Sequence, residues 1–574
     1  MIHEGSAFIE AAPEENQDEK GGAFYNKVQV VNRDLSILVV QTYIRTISSC
    51  RDASSTKHEI HVLEALGATG LRSVRYFHEI SGITRIICND MSPSAVALMK
   101  KNFLQNNIPE KSIIANCDDA NTLMRRLSRS IRDPVIAHLN PASEDMLQSG
   151  KPGTYSIPLQ AQKMHVVDID PYGSASPFLS SAIACTAEGG LLCVTCTDSA
   201  VLCGKYPETC HSKYGSLSLK NCSFNHEMGL RILLAAIERA ANLQGRYCRP
   251  LLSAKIDFYF RVFVQLFTKP IQVKRSCTKM SYILQCSQCS HFQLLPVALA
   301  QKHKGLHTKD ASASECHQPP VGTNGEEYLC SPDMPSSPNF AVSTPRLSRN
   351  SIFGWQKVTD NFTRENDDEI DQNKWCPSCS SCSYTLGGPI YNQSINDVDF
   401  IKSCSETLKN VENTETSEKK MVLGARDRVD ALLINLMQEL TDVPLYHSIP
   451  RMCSDLRYSV PPFGKLIDAI HRLGFQCSRS HCNIDAIKTN TPSPVLYAIL
   501  RSFFEPHESV EDRSCCSYGK LTSGKLPHIQ VSQLRKNIWE VNQSSACHNE
   551  APKKHVRYLP NPEPNWGPKA RTKM

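Results

Sequence analysis

Residues 164–173 read Met-His-Val-Val-Asp-Ile-Asp-Pro-Tyr-Gly, and this stretch limits the fold more than any other. Its run from His165 to Ile169 is rich in residues that pack well on a pleated surface, so a strand is expected. Pro171 lacks an N–H and restricts the residue before it, so the strand should end at Asp170. A carboxylate, a rigid turn and an aromatic ring then stand at the carboxyl end of a sheet strand, where open α/β sheets bind ligands. The bland alternative is a turn that only ends a strand.

The surrounding chain supplies the sheet. Ile60 to Glu64, Ile83 to Cys88 and Ser112 to Asn116 read as strands, with helical patterns at Leu71 to Ile80 and Ser94 to Asn106. Strand–helix units at this spacing indicate a parallel sheet with right-handed crossovers. Leu35 to Ile47 reads as a preceding helix capped by Asp34. Further on, Ser176 to Ala187 suits a helix, Gly190 to Thr197 a strand, and Asn225 to Leu243 a long helix. Ala254 to Leu266 is crowded with β-branched and aromatic residues and reads as one or two edge strands. Ser128 to Gln160 has few apolar residues and reads as an excursion from the sheet.

With 574 residues the chain should hold more than one domain, and 41% apolar against 21% charged residues reads as globular. No stretch approaches the ~20 apolar residues of a membrane span. The acidic amino terminus lacks the basic start and apolar core of a signal peptide and the arginine-rich look of a transit peptide. A nuclear or cytoplasmic location is expected, with a mitochondrial pool left open. The 25 cysteines are scattered, several in apolar runs, so most read as reduced thiols and a few as metal ligands. A net charge of +6 permits a nucleic-acid partner without demanding one.

The turn after the first parallel strand, Ala65 to Gly70, carries Gly67 and Gly70, which let backbone come close to a ligand. It is neither a clean dinucleotide fingerprint nor a phosphate loop. Asp90 ends the second strand, where a carboxylate can accept both hydroxyls of a ribose, and Asp119 ends the third, beside the place for an adenine. Helix capping is the alternative role for both. Glu64 suits either the cofactor's amino end or a structural role. A nicotinamide dinucleotide would use the same features. The Asp-Pro-Tyr-Gly corner fits instead an S-adenosylmethionine enzyme acting on an exocyclic amine, whose lone pair is delocalised and must be aimed. Asp170 and the Pro171 carbonyl can accept its N–H bonds, and Tyr172 can stack on the base. A base inside folded RNA must first be turned out.

Past Lys269 the pattern changes. Ile271 to Cys289 suggests short strands leading to Cys286-x-x-Cys289, and a polar stretch at about 315–371 reads as a disordered insertion before Cys376-x-x-Cys379. Four such thiolates suit a structural zinc ion. Cys382 offers an alternative pairing with Cys379, and His291 is a more distant choice. Asp427 to Leu440, Pro462 to Leu473 and Pro494 to Phe504 read as helices, the last two spaced like a small winged-helix or mixed α/β domain. Basic residues including Arg479, His481, Lys488, Arg535, Lys536, Lys553, Lys554 and Arg557 suggest a dispersed phosphate-contacting surface.

ALGATGLRSVR, NDMSPSAV, DDANTLM, VVDIDPYGSASPF, VTCTDSAVLCGKYPETCHSKYGS, DFYFRVFV, DVPLYHS and LPNPEPNWGPKAR together closely resemble the tRNA guanine-26 N2-dimethyltransferase family. The resemblance covers nearly the whole chain except the insertions. It implies an α/β fold: a doubly wound, mostly parallel Rossmann-like methyltransferase sheet with a smaller zinc-containing α+β carboxyl-terminal domain. It implies S-adenosylmethionine contacts at Arg33, Arg72, Asp90, Asp119 and Ala120, with Asp170 at the target amine. For both arginines the alternative is a salt bridge that locks elements together. It implies tRNA as partner, with no membrane and no obligate protein partner evident, and N2-methyl- then N2,N2-dimethylguanosine as products. Tyr391 departs from the family's usual tryptophan, and the cysteine/histidine finger found at the carboxyl end of some animal members is not evident. The expected divisions are 1–268 for methyl transfer, 269–401 for the zinc-binding region, 402–513 for RNA binding and 514–574 for a basic, proline-rich end. Competing readings are a methyltransferase for adenine N6 or a glutamine side chain, and a non-catalytic RNA-binding protein on this fold.

Overall fold

A short hairpin opens the chain, β1 (Ile2–Glu4) paired with β2 (Ala7–Ile9), and it packs on the first sheet helices. The structure is a computed structural model that describes residues 1–11, 25–49, 59–129, 163–301, 341–343, 376–379, 383–410 and 419–504. Most of the expected excursion and the polar insertion, together with Cys382 and the basic residues beyond 504, lie outside the described residues.

Among the described residues the main sheet has seven strands: β3 (Ile60–Glu64), β4 (Ile83–Asp90), β5 (Ile113–Cys117), β6 (Met164–Ile169), β7 (Thr186–Cys196), β8 (Tyr247–Ile256) and β9 (Tyr259–Phe267). Their order is β5-β4-β3-β6-β7-β9-β8. The first five are parallel, and β9 and β8 close one edge as an antiparallel hairpin. Helices cover both faces, so β3 is buried at every position, His61 and Glu64 included. The order reverses between β3 and β6, which places the ligand crevice at their carboxyl ends.

Helix α1 spans Val30–Ser49, longer than expected, because tertiary burial overrides its weak start signal. It packs against helices Val398–Asn410 and Arg426–Gln438, which come from beyond the cysteine region, and the first of these runs through the expected 401/402 division. Asp34 is not the cap that was expected. It lies inside α1, fully buried, paired with Arg75 Nη1 at 2.7 Å and accepting the Ala425 N–H at 2.7 Å.

Residues 271–279, expected to begin strands, lie instead in a helix at Pro270–Arg275 and a 3-10 turn at Ser276–Lys279, because Pro270 suits a first helical position. Strands then follow at Met280–Cys286, Phe292–Pro296 and Tyr384–Tyr391 and make a three-stranded antiparallel sheet. The carboxyl-terminal unit joins strands 447–448, 477–480 and 483–489 to helices Ile449–Leu456, Phe463–Arg472 and Ser493–Phe504. Two residues expected on its basic surface are instead interior. Lys488 is 1% exposed and bridges Glu227 and Glu439 at 3.0 and 3.1 Å, and His481 is buried with Nδ1 2.5 Å from Glu439. A buried cation must be paired, and the Lys488–Glu227 pair ties this unit to the long helix Asn225–Asn242.

Candidate active site and metal centre

The crevice is built from strand ends. After β3 the chain turns through Ala65 to Gly70, and the Gly67 N–H donates to the Asn89 carbonyl at 2.6 Å. A Cβ on Gly67 would stand 2.4 Å from the Cys88 sulfur. Gly70 has φ 77°, and a Cβ there would meet Phe103 at 2.7 Å. Glycine is required here by the packing of the chain's own Cys88, Met99 and Phe103 side chains, where the sequence suggested a close approach to a ligand. Asp90, at the end of β4, accepts the Ala68 N–H on Oδ2 and the Ser92 N–H on Oδ1, both at 2.9 Å. Each oxygen keeps a further lone pair for a ligand hydroxyl. Asp119 caps helix Ala120–Ser128 by accepting the Thr122 N–H at 2.8 Å, and Ala120 is buried as the first residue of that helix. Asp119 therefore performs the capping role weighed for it and stays exposed at the crevice lip.

The Asp170–Gly173 turn leaves β6 as expected. Gly173, with φ 96°, is tied to the end of β7 by two bonds: its N–H donates to Thr197 Oγ1 at 2.7 Å, and its carbonyl accepts the Thr197 N–H at 2.8 Å. Pro171 is buried, Asp170 half-buried and Tyr172 56% exposed. Ser174 meets the Tyr214 hydroxyl at 2.7 Å, and that hydroxyl also donates to Asp198 at 2.9 Å. Helix Pro207–Tyr214 is thereby fixed beside the turn, with Lys205, Tyr206, His211 and Lys213 exposed along it.

Arg72 and Arg33 stand in salt bridges. Arg72 Nη1 donates to Asp168 Oδ2 at 2.9 Å, Nη2 donates to Asp170 Oδ2, and Nε lies 3.7 Å from Glu64. Arg33 forks onto Glu4 of the amino-terminal hairpin and lies over the Tyr25 ring. Glu64 is buried, accepts the Ser73 N–H at 3.1 Å and hydroxyl at 2.5 Å, and burial pushes its carboxyl up to about 7.

Three buried groups at this site escaped the sequence reading. Asp168 is bound by Arg261 Nη1 and Nη2 at 2.9 and 2.8 Å and by the Tyr76 hydroxyl at 2.7 Å. Burial alone would raise the Asp168 carboxyl, but the Arg261 and Arg72 guanidiniums more than offset it and hold it well below the usual carboxylate range. The available signals were a second aspartate in an apolar strand and one arginine in the DFYFRVFV run, since buried charges come in pairs. Asn32 is the third, with Nδ2 3.4 Å from Asp170 Oδ2. Cys196, at the carboxyl end of β7, acts as filling: burial pushes its thiol up to about 12.

Away from the crevice, Cys286, Cys289, Cys376 and Cys379 come together, all buried, with their sulfurs within 4.8 Å of one another. Cys286–Cys379 and Cys289–Cys376 stand 3.6 Å apart. That is too long for a disulfide at ~2.05 Å and close to the ~3.8 Å edge of a tetrahedron with Zn–S of ~2.3 Å. His291 is buried close by, and burial holds its imidazole down at about 4.

Among the described residues no helix is long and apolar enough to cross a membrane. The family model for N2,N2-dimethylguanosine tRNA methyltransferases matches residues 6–135 and 137–501. The tRNA (guanine(26)-N(2))-dimethyltransferase of Schizosaccharomyces pombe is 31% identical, covering 99% of this chain and 92% of that protein. The Drosophila melanogaster enzyme of the same name is 32% identical over 96% of this chain and 84% of its own length, and the Homo sapiens one 28% over 100% and 77%. The solved Trm1 from Pyrococcus horikoshii, in complex with S-adenosyl-L-methionine, superposes with a TM-score of 0.58 at 22% identity, covering 87% of this chain and 98% of that one, which shows a shared fold. With the sheet order, the strand-end carboxylates and the family match over nearly its whole described length, the chain belongs to the N2,N2-dimethylguanosine tRNA methyltransferase family.

Proposed function

We propose that this protein transfers methyl groups from S-adenosylmethionine to the exocyclic N2 amine of guanosine 26 in tRNA, giving N2-methyl- and then N2,N2-dimethylguanosine. The observation that carries the reading is the Asp170–Gly173 turn, pinned to Thr197 at the carboxyl edge of the sheet with an exposed tyrosine. The tight turn after β3, together with the carboxylates Asp90 and Asp119 at the next two strand ends, suits the adenosyl cofactor. Bound there, the cofactor supplies an electrophilic methyl sulfonium. Asp90 would accept the ribose hydroxyls, Asp119 and Ala120 would border the adenine, and Arg33 and Arg72, whose forks already hold Glu4 and the Asp168–Asp170 pair, would line the methionyl side.

The chain's own groups then aim the amine. Tyr172 stacks on the turned-out guanine. Asp170 and the Pro171 carbonyl accept the two N–H bonds, so the lone pair points along one line, and a positioned carboxylate receives the proton the amine sheds. The exposed Lys205, Tyr206, His211 and Lys213 beside the turn suit the phosphates and bases around the target. The four cysteines suit a structural zinc ion, whose role would be to hold the 280–391 sheet together.

The test is incubation of the purified protein with S-adenosylmethionine and tRNA lacking the modification, followed by nucleoside mass spectrometry. Methylguanosines at position 26 are expected from the wild-type protein. Asp170→Ala should lose nearly all transfer and keep tRNA binding. A folded, cofactor-binding protein that leaves position 26 unmodified would end the reading, and product on adenine N6 or on glutamine would replace it. Unchanged modification with Asp170→Ala would point to a non-catalytic RNA-binding protein.

A further inference from the structure

Asp168 and Asp170 lie two residues apart along β6 and its end, so their side chains leave on the same face. Asp168 is 1% exposed and surrounded by donors: both Nη atoms of Arg261, the Tyr76 hydroxyl and Arg72 Nη1. The other Nη of Arg72 donates to Asp170 Oδ2. Asn32 Nδ2 approaches that same oxygen at 3.4 Å. Among the described residues both contacts of the Asp170 carboxylate fall on Oδ2 and none on Oδ1.

This asymmetry matters because a guanidinium is a rigid planar fork. When one prong is fixed on a buried carboxylate, the direction of the other is fixed too. Arg261 cannot drift either, since its guanidinium sits 4.6 Å over the Phe263 ring and donates to Thr195 and Ser36 at 2.9 and 2.7 Å. The chain Arg261–Asp168–Arg72–Asp170 alternates in charge and runs from the closed edge of the sheet to the crevice.

We propose that Asp168 is a positioning residue for methyl transfer: acting through the Arg72 fork, it holds Asp170 by Oδ2 so that Oδ1 meets the target amine. The inference rests on the function proposed above. Its sharpest consequence concerns the second methyl. The unmodified amine offers two N–H bonds, one for Asp170 and one for the Pro171 carbonyl, so its aim is set twice. After one transfer a single N–H remains, and the aim depends on one acceptor. Loosening Asp170 should therefore slow the second transfer more than the first.

Asp168→Asn in the full-length protein tests this, because the amide turns a nitrogen donor toward a guanidinium donor. At saturating S-adenosylmethionine and tRNA the single-turnover rate should fall on the order of 10²-fold, as expected for a misplacement of about 1 Å. At partial conversion, N2-methylguanosine should accumulate over the dimethyl product relative to wild type. Tyr76→Phe, which removes one hydroxyl donor and no charge, should shift the same ratio in the same direction by a smaller factor, and it keeps the test alive if Asp168→Asn fails to fold. Loss of rate in proportion to unfolded protein, with the product ratio unchanged in both variants, would overturn the proposal. So would a folded Asp168→Asn with wild-type rate and ratio. If the wild-type protein makes no methylguanosine, the proposed function fails and this inference fails with it; if the wild-type products are normal and only the ratio is unmoved, the positioning role alone is wrong.

Discussion

Removing the metal expected at the four cysteines should release the carboxyl-terminal helices from the body of the protein. Cys286 ends one strand and Cys289 follows in the next loop, while Cys376 and Cys379 precede the strand Tyr384–Tyr391 that pairs with the first. The loop is also a docking point. The Ser290 N–H lies 3.0 Å from both Asp455 Oδ2 and the Tyr497 hydroxyl, and Ser290 Oγ donates to Asp455 at 2.6 Å. Asp455 ends helix Ile449–Leu456 and Tyr497 lies within helix Ser493–Phe504, so the cysteine cluster and these helices share one core. Zinc held by four thiolates is worth about 10–16 kcal/mol in small zinc modules. At free zinc a thousandfold above its Kd, mass action alone adds about 4 kcal/mol to the folded module. Elemental analysis should find one zinc per chain in the wild type and a large loss in Cys286→Ser. After chelation, hydrogen exchange should show the amides of 286–290 and of the Ile449–Leu456 helix losing protection while β3 and β6 keep theirs. Stoichiometric zinc in Cys286→Ser refutes that ligand. Unchanged protection in verified metal-free protein refutes the coupling.

Three further outcomes are expected. Glu64, with its carboxyl raised from 4.5 to about 7 by burial, binds its proton more tightly when folded, so its contribution is fully present below about pH 4.5 and is lost as pH rises through 7, a change of about 3 kcal/mol. Denaturation midpoints at pH 5 and pH 8 should converge in Glu64→Gln, and a wild-type difference kept intact in that variant would contradict this. Arg75→Met leaves the buried Glu4, Asp34 and Glu79 carboxylates facing one another and should cost about 3–5 kcal/mol in chemical denaturation, with a loss under 1 kcal/mol arguing against the network. Tyr172→Ala should weaken transfer by the ~1–3 kcal/mol of one stacked base without changing the melting temperature, and kcat/KM at the wild-type value would remove Tyr172 from the site.

The strand ends were legible because each is a local statement. Valine and isoleucine in Met164–Ile169, Pro171 after Asp170, and the glycines after Glu64 act over a few residues, and the structure keeps them where the pattern put them. The cysteine pairs were legible for the same reason, although the separation of 93 positions between Cys286 and Cys379 hid which sulfurs meet. The misreadings share a different cause. Lys488 and His481 look like surface cations in the sequence, and only the approach of Glu439 to both and of Glu227, 261 residues from Lys488, makes the interior able to hold them.

The sequence by itself determined the parallel sheet, the turn that carries Asp170 and the family, because strand propensity, proline geometry and motif spacing are properties of short segments. Only the tertiary structure decided how Asp170 is held. Arg72 stands 98 residues from Asp170, and Arg261 stands 93 from Asp168. A buried carboxylate takes its partners from whatever the fold brings within about 3 Å, and that distance is not written along the chain.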